Sequence, residues 1–253
     1  SNAHAVMSFS TTGPLPGEGA RYFPDIVATG SVVSVLIDAP NGNSFNQGTS
    51  YSAPQVAGTA LLIRSANPSY SALDTKALIL NNVEDISAQN TGLSRFHYGL
   101  GLLRTDLAFD AAAAGPPLSG QLDLSQQVTQ LSYTVAVQAG RNYAATLAWP
   151  HPRPGNLDWD NLDLEVRDAA GVVVAIADTP RNLYERVLFP AKTTGNYTLE
   201  VVGTTLTTAG PLPFALAFGE NLGGGVQAGS YDLFDPACGT TGTTCTGTAP
   251  DPA

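Results

Sequence analysis

The sequence predicts an α/β layer over residues 4–116 followed by an all-β sandwich over 117–222, and three observations carry that expectation. In the first part, segments with helical periodicity alternate with short β-branched runs. At 111–120, a run of four alanines followed by Gly115, Pro116 and Pro117 reads as a helix end and its breakers. Beyond it the apolar period falls to two, in short runs separated by turn residues. A chain of 253 residues has room for one large domain or two modest ones.

In chain order, 25–28 and 31–36 are β-branched runs split by Gly30 and read as strands or extended segments. Residues 55–65 carry apolar side chains without a break, as a helix buried on most sides would, with Gly58 signalling close backbone packing. A second helix follows Asn67-Pro68-Ser69-Tyr70. Ser71 suits its N-cap, Asp74 favours the positive end of its dipole, and Leu73, Ala77, Leu78 and Leu80 supply the apolar positions. A third helix covers 103–113.

The strands expected in the second part are 131–137, 143–149, 162–167, 172–177, 186–189, 197–202 and 214–218, with turns at 139–142, 168–171 and 194–196. Short strands at this spacing build an antiparallel β-sandwich. Residues 223–253 are rich in Gly, Thr and Pro, lack periodicity, and read as a loose tail or linker.

Charged residues make up only 13% of the chain, and the net charge is −10. There is no basic footprint for phosphates to neutralise, so nucleic acid and anionic membranes are not expected partners. No apolar run reaches the ~18 residues needed to span a bilayer. Residues 1–3, Ser-Asn-Ala, read as the remnant of a cleaved tag, so what natively lay ahead of residue 4 is not visible in this sequence. Cys238 and Cys245 lack the paired cysteines or histidines of a zinc site; a small-loop disulfide between them is expected, in keeping with export.

The chemically informative stretch is Gly48-Thr49-Ser50-Tyr51-Ser52-Ala53-Pro54-Gln55-Val56-Ala57-Gly58. It places a serine where an irregular loop enters a helix, with Pro54 expected in the opening turn. There the helix dipole and the free N–H groups favour negative charge, as an acyl-transfer nucleophile requires for its oxyanion. Local chemistry alone favours an N-cap serine over a nucleophile.

The stretch resembles the serine motif of the subtilisin-like serine peptidases (subtilases), Gly-Thr-Ser-Met-Ala-x-Pro-x-Val-Ala-Gly. Tyr51, Ser52 and Gln55 depart from it at positions where the family varies. The segments 8–14 and 23–30 resemble the family's Phe-Ser-Ser-x-Gly-Pro and Lys-Pro-Asp-Ile-Val-Ala-Pro-Gly, with Thr29 in place of the second proline. The likeness covers 6–114. It implies part of a parallel-sheet catalytic domain, with Ser50 as nucleophile and Gly48, Thr49 and Ser50 forming the active-site loop beside the oxyanion hole. It further implies a protein or peptide substrate, no required cofactor, and secretion from a bacterium.

The family's base and orienting acid stand in His-Gly-Thr and Asp-Ser/Thr-Gly motifs ahead of the serine. None of the histidines, His4, His97 and His151, has that context. The chain is therefore expected to be the C-terminal part of a peptidase, inactive by itself. The alternative is a non-catalytic module whose sandwich binds protein or carbohydrate. Half of the implied sheet would be absent, so the helix over 55–65 is expected to expose an apolar face and favour self-association.

Residues 118–220 resemble the jelly-roll domain appended to secreted bacterial subtilases, through Asp160-Asn161-Leu162-Asp163-Leu164, Gly195-Asn196-Tyr197 and the strands around them. Asp158, Asp160 and Asp163 gather at a strand start, where carboxylates can hold a structural calcium ion or stand solvated.

Overall fold

The computed structural model describes residues 4–14, 21, 23–35, 43–151, 159–180, 182–208 and 210–224. Strands β1 (Ser31–Val35) and β2 (Asn43–Gln47) pair antiparallel, with Ser31 opposite Gln47. β2 runs through Gly48 into helix α1 (Thr49–Ala66). Helix α2 (Ala72–Asn81) opens on the cap expected at Ser71: its Oγ accepts the Asp74 amide at 3.1 Å, and Asp74 Oδ2 accepts the Ser71 amide at 2.8 Å. Strand β3 (Val83–Glu84), the short helix α3 (Arg95–Tyr98), strand β4 (Leu102–Leu103) and helix α4 (Thr105–Ala114) follow, with β3 antiparallel to β4.

Three expectations change here. The run 25–28 forms no strand; only Val27 bridges, in parallel, to Leu102, and among the described residues that bridge is the sole trace of a parallel sheet. β2 was not foreseen, because its Asn-Ser-Phe-Asn-Gln sequence is poor in β-branched residues. Helix α1 starts six residues before 55 and is not buried on most sides. Only Thr59 and Ile63 are buried, while Leu61 and Leu62 are 71% and 46% exposed, because α4 and α2 cover one flank of the helix alone.

The sandwich strands are β5 (Leu118–Leu122), β6 (Gln130–Val137), β7 (Asn142–Ala148), β8 (Asn161–Arg167), β9 (Val173–Ala177), β10 (Tyr184–Pro190), β11 (Gly195–Thr205) and β12 (Leu212–Glu220). They form two four-stranded antiparallel sheets, ordered β10-β7-β12-β5 and β6-β11-β8-β9. Every strand expected from the period of two is present. The additional one, β5, lies against the breakers and contains Gly120, where a Cβ would collide with Tyr133 Oη and Phe214 Cζ.

Between the sheets lies a core that includes Trp149, Phe189, Tyr197, Phe214, Leu162 and Leu164. β8 alternates as its sequence requires, with Leu162, Leu164 and Val166 inward and Asp163, Glu165 and Arg167 on the other face. β7 departs from that rule. Tyr143, Ala145 and Leu147 face the sandwich core, while Ala144, Thr146 and Ala148 are buried as well, beneath α2.

A second core thus crosses the boundary expected at 116/117. It joins Ile63, Tyr70, Ala77 and Leu78 to Ala144, Ala148, Tyr184, Leu188, Ala215 and Ala217. Small side chains on the outer face of β7 and β12 let the helix approach closely, and each leucine buried there contributes about 1.5–3 kcal/mol. Two buried polar links complete the contact: Thr146 Oγ1 donates to Asn81 Oδ1 at 2.9 Å, and Arg186 Nη2 to the Asn81 carbonyl at 3.2 Å.

Candidate active site around Ser50

Gly48, Thr49 and Ser50 stand together at the start of α1, but strand β2 feeds them, with Gly48 alone between strand and helix, instead of the irregular loop expected. Gly48 is the N-cap residue of α1, with φ 156° and no side-chain cap bond, and Ser50 is the second helical residue, with its side chain exposed. The hydroxyl of Ser50 is therefore not the helix cap. Two backbone bonds seat the turn: the Gly48 amide donates to the Gly30 carbonyl at 2.8 Å, and the Tyr51 amide to the Gly48 carbonyl at 3.1 Å. The amides of Thr49 and Ser50 precede the first i→i−4 bond of the helix, so the positive end of its dipole faces the serine.

Pro54 falls at the sixth helical position, in the second turn instead of the opening one. The ring nitrogen carries no hydrogen, so the Ser50 carbonyl lacks its i+4 donor. One residue on, the Gln55 side-chain amide donates at 2.7 Å to the Thr29 carbonyl and at 2.7 Å to the Tyr51 carbonyl. The motif gave no sign of this second tie, because Thr29 is remote in sequence. Below it, the hydroxyls of Thr59 and Thr105 meet at 2.7 Å and join α1 to α4.

The histidines are occupied elsewhere. His4 has its Nδ1 3.0 Å from Glu84 Oε1, and its carbonyl accepts the Asn90 side-chain amide at 2.9 Å. His97 Nδ1 lies 3.3 Å from Ser94 Oγ, and the His151 ring stacks on Trp159 with centroids 4.8 Å apart. Among the described residues, no side chain is hydrogen-bonded to the Ser50 hydroxyl.

Of the acidic cluster, Asp158 lies outside the described residues, as do Cys238 and Cys245. Asp160 is 2% exposed. Its Oδ1 accepts the amides of Thr207 at 2.6 Å and Thr208 at 2.9 Å, and its carbonyl accepts Trp149 Nε1 at 3.0 Å. Asp163 accepts from Asn161 Nδ2 at 3.1 Å and Thr204 Oγ1 at 3.2 Å. Burial lifts its pKa to about 6, against the hydrogen bond from Thr204 and with help from the charges of Asp178 and Glu165. Among the described residues, no three potential metal ligands stand together, and no helix is long and apolar enough to cross a membrane.

Residues 1–101 match the subtilase family. The chain is 32% identical over 130 residues to the subtilisin-like protease Glyma18g48580 of Glycine max, a stretch covering 43% of this chain and 16% of that protein. It is 29% identical over 157 residues to the subtilisin-like protease SBT4.14 of Arabidopsis thaliana, covering 57% and 19%. It therefore spans less than a fifth of the length of these relatives, both of them plant proteins. Among solved structures, the pre-peptidase C-terminal domain of collagenase from Bacillus anthracis aligns with a TM-score of 0.32 and 15% identity, over 40% of this chain and 86% of that one. A likeness that weak assigns neither fold nor activity. Over its first part the chain is similar to the subtilase family and to these proteases, and the likeness supports a serine peptidase fragment.

Proposed function

We propose that this chain is the C-terminal part of a secreted bacterial serine endopeptidase with Ser50 as its nucleophile, and that it is inactive alone. The observation that carries the proposal is the serine motif 48–58 in register, with Ser50 exposed at the N-terminus of an eighteen-residue helix. In the complete enzyme, an imidazole base supplied from outside the described residues takes the Ser50 proton as Oγ attacks the scissile carbonyl carbon. The peptide C–N bond breaks, the amine leaves with that proton, and water then hydrolyses the ester. The backbone amides at the start of α1 stabilise the oxyanion, and residues 117–222 form a jelly-roll accessory domain.

Hydrolysis of a fluorogenic peptide tests both halves of the proposal. The complete protein cleaves it and Ser50→Ala abolishes cleavage, whereas the 253-residue chain leaves it intact. Cleavage by the chain itself, lost on Ser50→Ala, refutes its inactivity.

The lack of a base beside Ser50 among the described residues also favours a second reading, a non-catalytic binding module. Asp-Thr-Gly and His-Gly-Thr motifs upstream of residue 1 decide for the enzyme, and their absence decides for the module. In either case the exposed Leu61 and Leu62 favour association of two copies through α1.

A further inference from the structure

We propose that Gln55 is a positioning residue for Ser50, a side-chain latch that holds the start of α1 against the Thr29–Gly30 backbone. This role rests on the reading of Ser50 given above. A glutamine amide has two N–H donors, and both are used here at 2.7 Å, one on the Thr29 carbonyl and one on the Tyr51 carbonyl. Tyr51 directly follows the nucleophile. Thr29 directly precedes Gly30, whose carbonyl takes the Gly48 amide at 2.8 Å.

Backbone on both sides of Ser50 is thus fastened to the same two-residue segment, through the Gly48 amide before it and the Gln55 side chain after it. The seat is close-fitting: a Cβ at Gly30 would stand 3.3 Å from Ser52 Oγ. It is also needed. Pro54 removes the amide that would otherwise steady the first turn through the Ser50 carbonyl, and Gln55 adds a side-chain donor one residue later. Gln55 occupies a variable position of the serine motif.

The decisive substitution keeps the shape and removes the donors. Gln55→Glu sets a carboxylate against two carbonyl oxygens, whereas Gln55→Lys keeps a donor. In the complete protein, Gln55→Glu is expected to lower kcat about 100-fold with KM unchanged, the size of a misplaced nucleophile. Gln55→Lys is expected to retain kcat within about threefold, which a purely packing role would not produce. Should the Glu variant fail to fold, Gln55→Ala and Gln55→Lys carry the same comparison.

An active wild-type protein whose Glu or Ala variant keeps kcat within about threefold overturns the latch and leaves Ser50 standing. A wild-type protein without Ser50-dependent hydrolysis overturns the reading of Ser50, and this role with it. In the 253-residue chain, NMR supplies a readout independent of activity. The Gln55 side-chain amide protons are expected to exchange slowly with solvent, and exchange at the rate of a free amide refutes the latch.

Discussion

Thr146 and Asn81 lie 65 residues apart in sequence, yet the threonine hydroxyl donates to the asparagine oxygen at 2.9 Å in a fully buried contact between α2 and β7. Thr146→Val keeps the shape and leaves Asn81 Oδ1 without that donor. A loss of about 1–3 kcal/mol is expected. Because the second core is shared, urea unfolding is expected to show one transition for both parts of the chain, shifted to lower denaturant in the variant.

Asp160 draws in a loop 47 residues away by accepting the amides of Thr207 and Thr208. Asp160→Ala strands those donors and is expected to cost about 1–3 kcal/mol. Melting with and without Ca²⁺ separates this role from the calcium ligation that the acidic cluster suggested in sequence. If hydrogen bonding alone is at work, the loss is the same in EDTA. A calcium-dependent rise in Tm of the wild type, absent from the variant, establishes the ion.

Asp163 titrates in the opposite sense to an ion-paired carboxylate. Its folded pKa, about 6, stands above the ordinary carboxylate value of 3.8. The folded state therefore holds the proton more tightly than the unfolded one, and the stability this group contributes is full below the unfolded value and lost as pH rises through the folded value. Asp163→Asn, which stays neutral, is expected to gain on the wild type by about 1 kcal/mol between pH 4 and pH 7, allowing for solvent screening. Paired denaturation curves at the two pH values check it; a constant difference between the proteins refutes it.

Leu61 and Leu62 expose apolar surface on α1. If two copies associate there, Leu61→Asp with Leu62→Asp shifts the sedimentation of concentrated protein to the monomer without lowering Tm. An unchanged sedimentation profile places the association elsewhere or excludes it.

The Ser71 cap was readable because its partner, Asp74, is three residues away, and Ser71→Ala is expected to cost about 1 kcal/mol in thermal denaturation. The sandwich strands were readable for the same reason: their period is a local property. What escaped depends on distant residues. The apolar run 143–149 gave β7, but nothing in it said that α2 covers Ala144 and Ala148. The serine motif located Ser50, but Gln55 reaches a carbonyl 26 residues upstream. In the helix over 55–65, unbroken hydrophobicity by itself read as burial; the apolar face expected to be left open is the one at Leu61 and Leu62, because the neighbours present cover one flank only.

The core shared by α2 and the outer face of β7 and β12 also changes what the covalent link between the two parts does. The link, at 115–117, is a tether, and the joint itself is non-covalent. A chain nicked there would persist as a tightly held pair of pieces, and the pieces expressed separately would find each other as a split protein does.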